Sequence, residues 1–256
     1  MIQLEPKPTR VEEVVEDIAG YLKKRRMKGV EASALAQIIR FLRESHFGRC
    51  GAGVLSALAK HSGAAGNEVD MEAPLVEGLA WLTEYLPAAR PRVVEVGRAE
   101  APVIVFTDGA AETEGVTVGG VIFVMGSPPE FFGERVPEEL VTEWRKQGGF
   151  QVIGQAELLP IKMAAKIWSG KLQGSLSIWF QDQDAARRGM VKGYSSAERS
   201  SGIIDAAAQA MAAASTRPWF ARVATGSNPA DGPSRLRFKE FLLAFPSAVR
   251  VRAGCV

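Results

Sequence analysis

Four carboxylates constrain this chain more than any other feature of its sequence: Asp108 in VIVFTDGA, Glu157 in GQAELLPI, Asp182 in IWFQDQDAARRG and Asp231 in SNPADGPSR. Each falls where the local pattern predicts that a strand ends or a helix begins. Crowded carboxylates cost free energy, because like charges repel and partly buried ions lose solvation. A fold that gathers four of them therefore calls for a divalent cation, and acids with such a cation point to phosphodiester chemistry.

The surrounding composition sets bounds on that reading. A chain of 256 residues holds one large domain or two ordinary ones. Its 46% hydrophobic and 23% charged content is ordinary for a globular protein. The net charge of +2 provides no global attraction to nucleic acid, so any such binding must come from local patches. Cys50 and Cys255 are far apart, and Cys255 lies in the last two residues, where chains fray. Neither a structural disulfide nor a cysteine metal site is expected, which favours a reducing compartment, cytoplasmic or nuclear. No apolar run reaches the roughly 18 residues of a transmembrane helix, and MIQLEPKPTR lacks a signal-peptide core, so no membrane partner is expected.

Periodicity divides the chain. Residues 1–97 read as helical. Thr9 and Glu12 have capping-box spacing, and Val11, Val14, Val15, Ile18, Tyr21 and Leu22 then mark one helix face. Lys23 to Arg26 closes that helix. Leu35, Ile38, Ile39 and Leu42 mark a second, Val54, Leu55 and Leu58 a third, and Leu75, Leu79, Leu82 and Leu86 a fourth, with Pro74 at its start. His61 to Asn67 reads as a loop. The proline-bearing stretch from Pro87 to Pro102 reads as a linker, with a short strand at Val93 to Val96.

Residues 98–256 alternate strands and helices. Strands are expected at Val103 to Thr107 (stopped by Asp-Gly), Val118 to Met125, Phe131 to Val136, Phe150 to Ile153, Ser175 to Phe180 and Trp219 to Ala224. Helices are expected at Pro137 to Gln147, Ala156 to Trp168, Asp184 to Lys192, Ala197 to Ala214 and Leu236 to Phe245. Pro160 places the start of its helix close by, since an interior proline breaks a hydrogen bond. The order describes an α/β layered fold, a mixed sheet flanked by helices. Trp168, Trp179, Met163, Met190 and Met211 read as core.

Strand-TDGA, helix-AELL, strand-WFxDxxAA and the loop NPADGPSR together resemble the ribonuclease H domain of retroelement reverse transcriptases, especially of tyrosine-recombinase retrotransposons and pararetroviral elements. The resemblance covers Pro102 to Arg235. FGRCGAGVLSAL and EGLAWLTEYLPAARPRV look like the thumb and connection region that precedes that domain. No YxDD polymerase motif occurs in the chain. The resemblance implies a ribonuclease H-like fold and a metal-dependent endoribonuclease that cuts the RNA strand of an RNA–DNA hybrid. It implies two Mg²⁺ ions, with Mn²⁺ as a substitute, held by Asp108, Glu157, Asp182 and Asp231. It also implies a polymerase palm and fingers as partner, absent from this chain. Gly109, Asn228, Ser234 and Arg235 are the expected substrate-side residues.

Single motifs have plainer readings. TDG is a common strand-to-turn sequence, Glu157 suits a helix first turn, and Asp231 suits a helix cap. Asp184 competes with Asp182, either as a helix cap or as the ligand itself; strand parity and position favour Asp182. Lys23 to Arg26 reads either as a solvated helix end or as a phosphate contact, and Arg187, Arg188 and Lys192 as backbone contacts for nucleic acid. The chain also departs from the family pattern. His46 and His61 both precede the domain, so the usual histidine before the last acid is missing. Ala110 stands where serine is common, and Gln183 where asparagine is common. An idle nucleic-acid-binding module and a DNA nuclease or strand transferase remain as alternatives.

Overall fold

The computed structural model describes residues 2–46, 48, 50–63, 68–94, 101–148, 152–195 and 198–253. The chain divides into two compact units, Met1–Arg98 and Ala99–Val256.

In the first unit, β1 (Ile2–Leu4) pairs antiparallel with β4 (Arg92–Val94), and β2 (Arg26–Lys28) pairs antiparallel with β3 (Glu68–Asp70). Between them lie α1 (Pro8–Lys24), α2 (Gly29–Ser45), α3 (Ala52–Ser62) and α4 (Ala73–Ala88). The apolar stripes meet in one core that contains Val14, Ile18, Met27, Leu35, Ile39, Leu42, Leu58 and Leu79. The expected capping box at Thr9 does not form: the N-cap is Lys7, without a side-chain cap, and α1 starts at Pro8. Proline suits that place because its fixed φ is already helical and its missing N–H has no helical partner there. The basic run does not all belong to α1. Arg25 turns left-handed at the C-cap, and Arg26 enters β2, where it pairs with Glu68 and Asp70. Part of the loop expected at His61 to Asn67, and residues 95 and 96 of the expected linker strand, lie outside the described residues.

The second unit is built on a six-stranded sheet. Its strands are β5 (Val103–Glu112), β6 (Gly115–Phe123), β7 (Glu130–Arg135), β8 (Leu176–Gln181), β9 (Arg217–Arg222) and β10 (Val249–Arg250), in the order β10-β7-β6-β5-β8-β9. β5, β6 and β7 form an antiparallel meander, while β8 runs parallel to β5, β9 to β8 and β10 to β7. The helices are α5 (Glu138–Gly148), α6 (Ile153–Ile167), α7 (Ser169–Leu172), α8 (Asp184–Lys192), α9 (Glu198–Ala213), α10 (Asp231–Ser234) and α11 (Phe238–Ala244). On one face, Val105, Val118 and Trp179 pack with Leu159, Met163 and Ile204 of α6 and α9. On the other, Val121 and Phe131 pack against Phe241 of α11. This is an α/β mixed sheet flanked by helices, preceded by a helical region, as the order of elements in the sequence predicts. Trp168, Trp179, Met163, Met190 and Met211 are all buried.

Three local expectations change, and one strand is added. β5 does not stop at Asp108-Gly109; it continues through both to Glu112, because β6 pairs with it along the whole length, Asp108 opposite Gly119 and Gly109 opposite Val118. Ile153 opens α6 rather than closing a strand, and residues 150 and 151 of that expected strand lie outside the described residues. Pro160 is the eighth residue of α6, not near its start, so the Ala156 carbonyl lacks its usual helical donor. Two residues at Val249–Arg250 add an edge strand too short to leave a periodic signal.

Candidate metal centre

Asp108 projects from the middle of β5, buried between the sheet and the loop that carries Asp231. The parallel β5–β8 ladder ends at Phe106 opposite Phe180. Asp108 and Asp182 lie beyond that end, and the carboxyl ends of parallel strands are the usual ligand position in such sheets. The Gly109 N–H, past the end of that ladder, donates to the Glu157 carboxylate. Glu157 is on the second turn of α6 and buried. A Cβ on Gly109 would overlap the Ala156 carbonyl, the one left without a donor by Pro160. The close approach that glycine permits here is therefore that of α6, and it sets the depth of Glu157 against β5. Asp182 follows β8 directly and is half-buried.

One carboxylate oxygen from each of Asp108, Glu157 and Asp182 lies within 4.8 Å of the other two, the metal-capable group found among the described residues. Glu157 Oε2 and Asp182 Oδ1 are buried with no hydrogen-bond partner. Burial, with Asp182 and Asp231 nearby, pushes the Asp108 carboxyl up to about 6, against the opposing effect of the Ser234 hydroxyl. Burial, then Asp108 and Asp182, pushes Glu157 up to about 9. Three converging acids, two of them with an unsatisfied buried oxygen, form an all-oxygen donor set, which fits a hard divalent cation and would be relieved by one.

Asp231 is close enough to affect Asp108 but is not part of the three-acid group. It opens α10, and its Oδ1 accepts a hydrogen bond from Arg235 Nε at 2.9 Å. Asn228 ties its loop to the sheet: Nδ2 donates to the Thr107 carbonyl at 3.2 Å, and Oδ1 accepts from the Ala230 N–H at 3.1 Å. α10 sits on a glycine floor. Gly119 and Gly133 are register partners, and a Cβ on either would overlap the backbone at Pro233 or Ser234. The buried Ser234 hydroxyl lies against Asp108 Oδ2 and the Asp231 carbonyl (2.9 Å). It has one proton, so it donates to only one of them at a time. Arg235 also bonds Glu112 through Nη1. Of the four expected substrate-side residues, Gly109, Asn228 and Ser234 are buried and engaged inside the protein, and Arg235 spans two carboxylates.

The rival acid is occupied elsewhere. Gln183, not Asp184, caps α8, its side chain accepting from the Ala186 N–H at 2.7 Å. Asp184 pairs with Arg187 at 3.1 Å and Arg188 at 3.3 Å, and the Arg187 bond holds its carboxyl below the usual range. Ala110 is buried in β5.

Three residues of the neighbourhood were missed from the sequence. Thr107 Oγ1 and both polar ends of the Gln181 side chain are buried without partners, each one residue before a site acid. Glu112 is the second anchor of Arg235. The polar residues directly ahead of Asp108 and Asp182 were visible, but nothing in the sequence marked them as inward-facing.

No family model matches the chain, and no curated protein matches it in sequence. Among solved structures it is similar to RNase H1 from the halophilic archaeon Halobacterium salinarum, with 14% identity and a TM-score of 0.41 over 54% of this chain and 98% of that one. It is also similar to the N-terminal RNase H domain of a Mycobacterium tuberculosis protein, with 13% identity and a TM-score of 0.39 over 56% and 96%.

Proposed function

We propose that this chain is a metal-dependent endonuclease of ribonuclease H type that hydrolyses the RNA strand of RNA–DNA hybrids. The observation that carries the reading is the convergence of Asp108, Glu157 and Asp182, from three separate elements, with unsatisfied buried oxygens on Glu157 and Asp182, where the parallel β5–β8 ladder ends. A binding module has no need of such a costly cluster. Asp108, Glu157 and Asp182 would hold divalent cation, with Asp231 as the fourth acid. Mg²⁺ is the expected ion because the donors are all carboxylate oxygen, and Mn²⁺ is a competent substitute. When bound, such ions supply an activated water and stabilise the leaving oxygen.

The chain's own residues do the rest. The Gly109 N–H fixes one side of the Glu157 carboxylate. Asn228 sets the Asp231 loop against Thr107, and Ser234 joins Asp108 to that loop. Arg187 and Arg188, on the helix that follows Asp182, would meet substrate phosphates. The RNA strand would be recognised by its 2′-hydroxyl and the hybrid by its groove shape. Descent from a reverse transcriptase, with residues 1–97 as a thumb- or connection-like region and a palm and fingers elsewhere, is part of the same proposal and rests on the sequence motifs.

The test is incubation of the full chain with end-labelled RNA–DNA hybrid, RNA duplex and DNA duplex, each with Mg²⁺, Mn²⁺ or EDTA. Cleavage is expected in the RNA strand of the hybrid alone, lost with EDTA. Cleavage of the DNA duplex would favour a DNA nuclease. Hybrid binding without cleavage under either ion would favour an idle module.

A further inference from the structure

The four acids are not equivalent in the structure. Asp108, Glu157 and Asp182 face one another, and Glu157 and Asp182 each keep a buried oxygen without a partner. Asp231 faces Arg235, with Nε to Oδ1 at 2.9 Å. Arg235 is held from its other side by Glu112 on β5, so a single guanidinium is forked between two carboxylates on different elements. Arginine suits such a place because its donors are planar and fixed, and a charge-assisted fork is stronger than a single contact. Arg235 and Asp231 are each about one-third exposed, so the pair is reachable from solvent and not sealed in the core.

A guanidinium and a metal ion compete for the same carboxylate oxygens. We propose that Arg235 is a positioning residue that occupies Asp231 in the resting site. The free protein then holds one divalent cation tightly, on Asp108, Glu157 and Asp182, and takes a second only when Arg235 leaves Asp231. A substrate phosphate is the group with the charge and geometry to draw it away. Arg235 thereby keeps the second ion from settling until substrate is present. This inference rests on the metal-dependent reading above and deepens it.

The experiment counts ions without nucleic acid, so it does not depend on activity. Mn²⁺ is titrated into the full chain while free Mn²⁺ is followed by electron paramagnetic resonance, with circular dichroism to show that each variant is folded. The wild type binds one ion tightly. Arg235→Gln binds two, and the double variant Arg235→Gln with Asp231→Asn returns to one. Arg188→Gln removes an equal charge from α8, where its partner is Asp184, and still binds one. If Arg235→Gln does not fold, Arg235→Lys keeps the charge but loses the fork, and the second ion should then bind at a concentration several-fold lower than in wild type. A single ion in folded Arg235→Gln, a second ion that survives Asp231→Asn, no shift in Arg235→Lys where that variant stands in, or two equal ions in wild type overturns the inference and leaves the metal reading standing. No ion bound by the wild type overturns both.

Discussion

Asp182 and Asp184 are two residues apart, and the structure gives them different surroundings. Asp182 has a buried, unpartnered oxygen beside Asp108 and Glu157, whereas Asp184 is paired with Arg187 and Arg188. Asp182→Asn should therefore lower hybrid cleavage by orders of magnitude while hybrid binding persists, since metal-site stabilisation is worth several kcal/mol. Asp184→Asn should cost no more than about tenfold. Single-turnover cleavage with filter binding checks both, and the opposite ranking would mean that Asp184 is the ligand. The raised acids also predict a pH dependence. In the ion-free protein Asp108 titrates at about 6 and Glu157 at about 9, both above the roughly 4 of an unfolded carboxylate. The native state then keeps protons that the unfolded chain has released, so stability falls as pH rises. The contribution is full below the unfolded value and lost through about 6 for Asp108 and through about 9 for Glu157. Melting temperatures without metal should decline across that window, and Glu157→Gln should flatten its upper part. Saturating Mg²⁺ should flatten the whole decline, because metal favours the charged acids.

Two helices reach the site by touching bare glycine. α6 presses on Gly109 with the Ala156 carbonyl, and α10 presses on Gly119 and Gly133. Gly109→Ala should push α6 off β5 and move Glu157 with it. Gly119→Ala should lift α10 and break the Ser234–Asp108 contact. Each should cost about 1–3 kcal/mol or more, the usual range for overpacking. Cleavage should fall further than stability alone accounts for. Urea denaturation alongside kcat tests this, and Gly154→Ala is the control, since a Cβ there meets nothing within 4 Å. A Gly109→Ala variant with normal stability and rate would show that α6 is not seated by this contact.

The two compact units, Met1–Arg98 and Ala99–Val256, each have a separate hydrophobic core. A unit with its own core can fold alone. Residues 99–256 expressed alone should give a cooperative thermal transition and retain metal-dependent cleavage. Residues 1–98 should fold as a helical unit with no nuclease activity. If residues 99–256 fail to fold, the units depend on each other, and the division expected near residue 98 is not a domain boundary. No helix among the described residues is long and apolar enough to cross a membrane.

Much of the fold was legible because its signals are local. The 3.6-residue stripes of α1, α2 and α4, the β-branched runs of β5 and β8 and the Gly193 stop of α8 act within a few residues, and each element forms close to where its pattern lies. The four acids were legible as a set because their order and flanking residues are linear facts. What those acids do to one another was not. β5 runs through Asp-Gly because a partner strand supplies its hydrogen bonds, and α6 carries Pro160 inside it because the freed carbonyl faces a glycine on another element. Gln183 rather than Asp184 caps α8 because of the side-chain geometry at that turn. The division of the acids into three that converge and one held by Arg235 depends on Glu112, more than a hundred positions away in sequence. The chain by itself determined which groups are present and in what order. Tertiary packing alone decided their distances, and electrostatic coupling between carboxylates depends on distance.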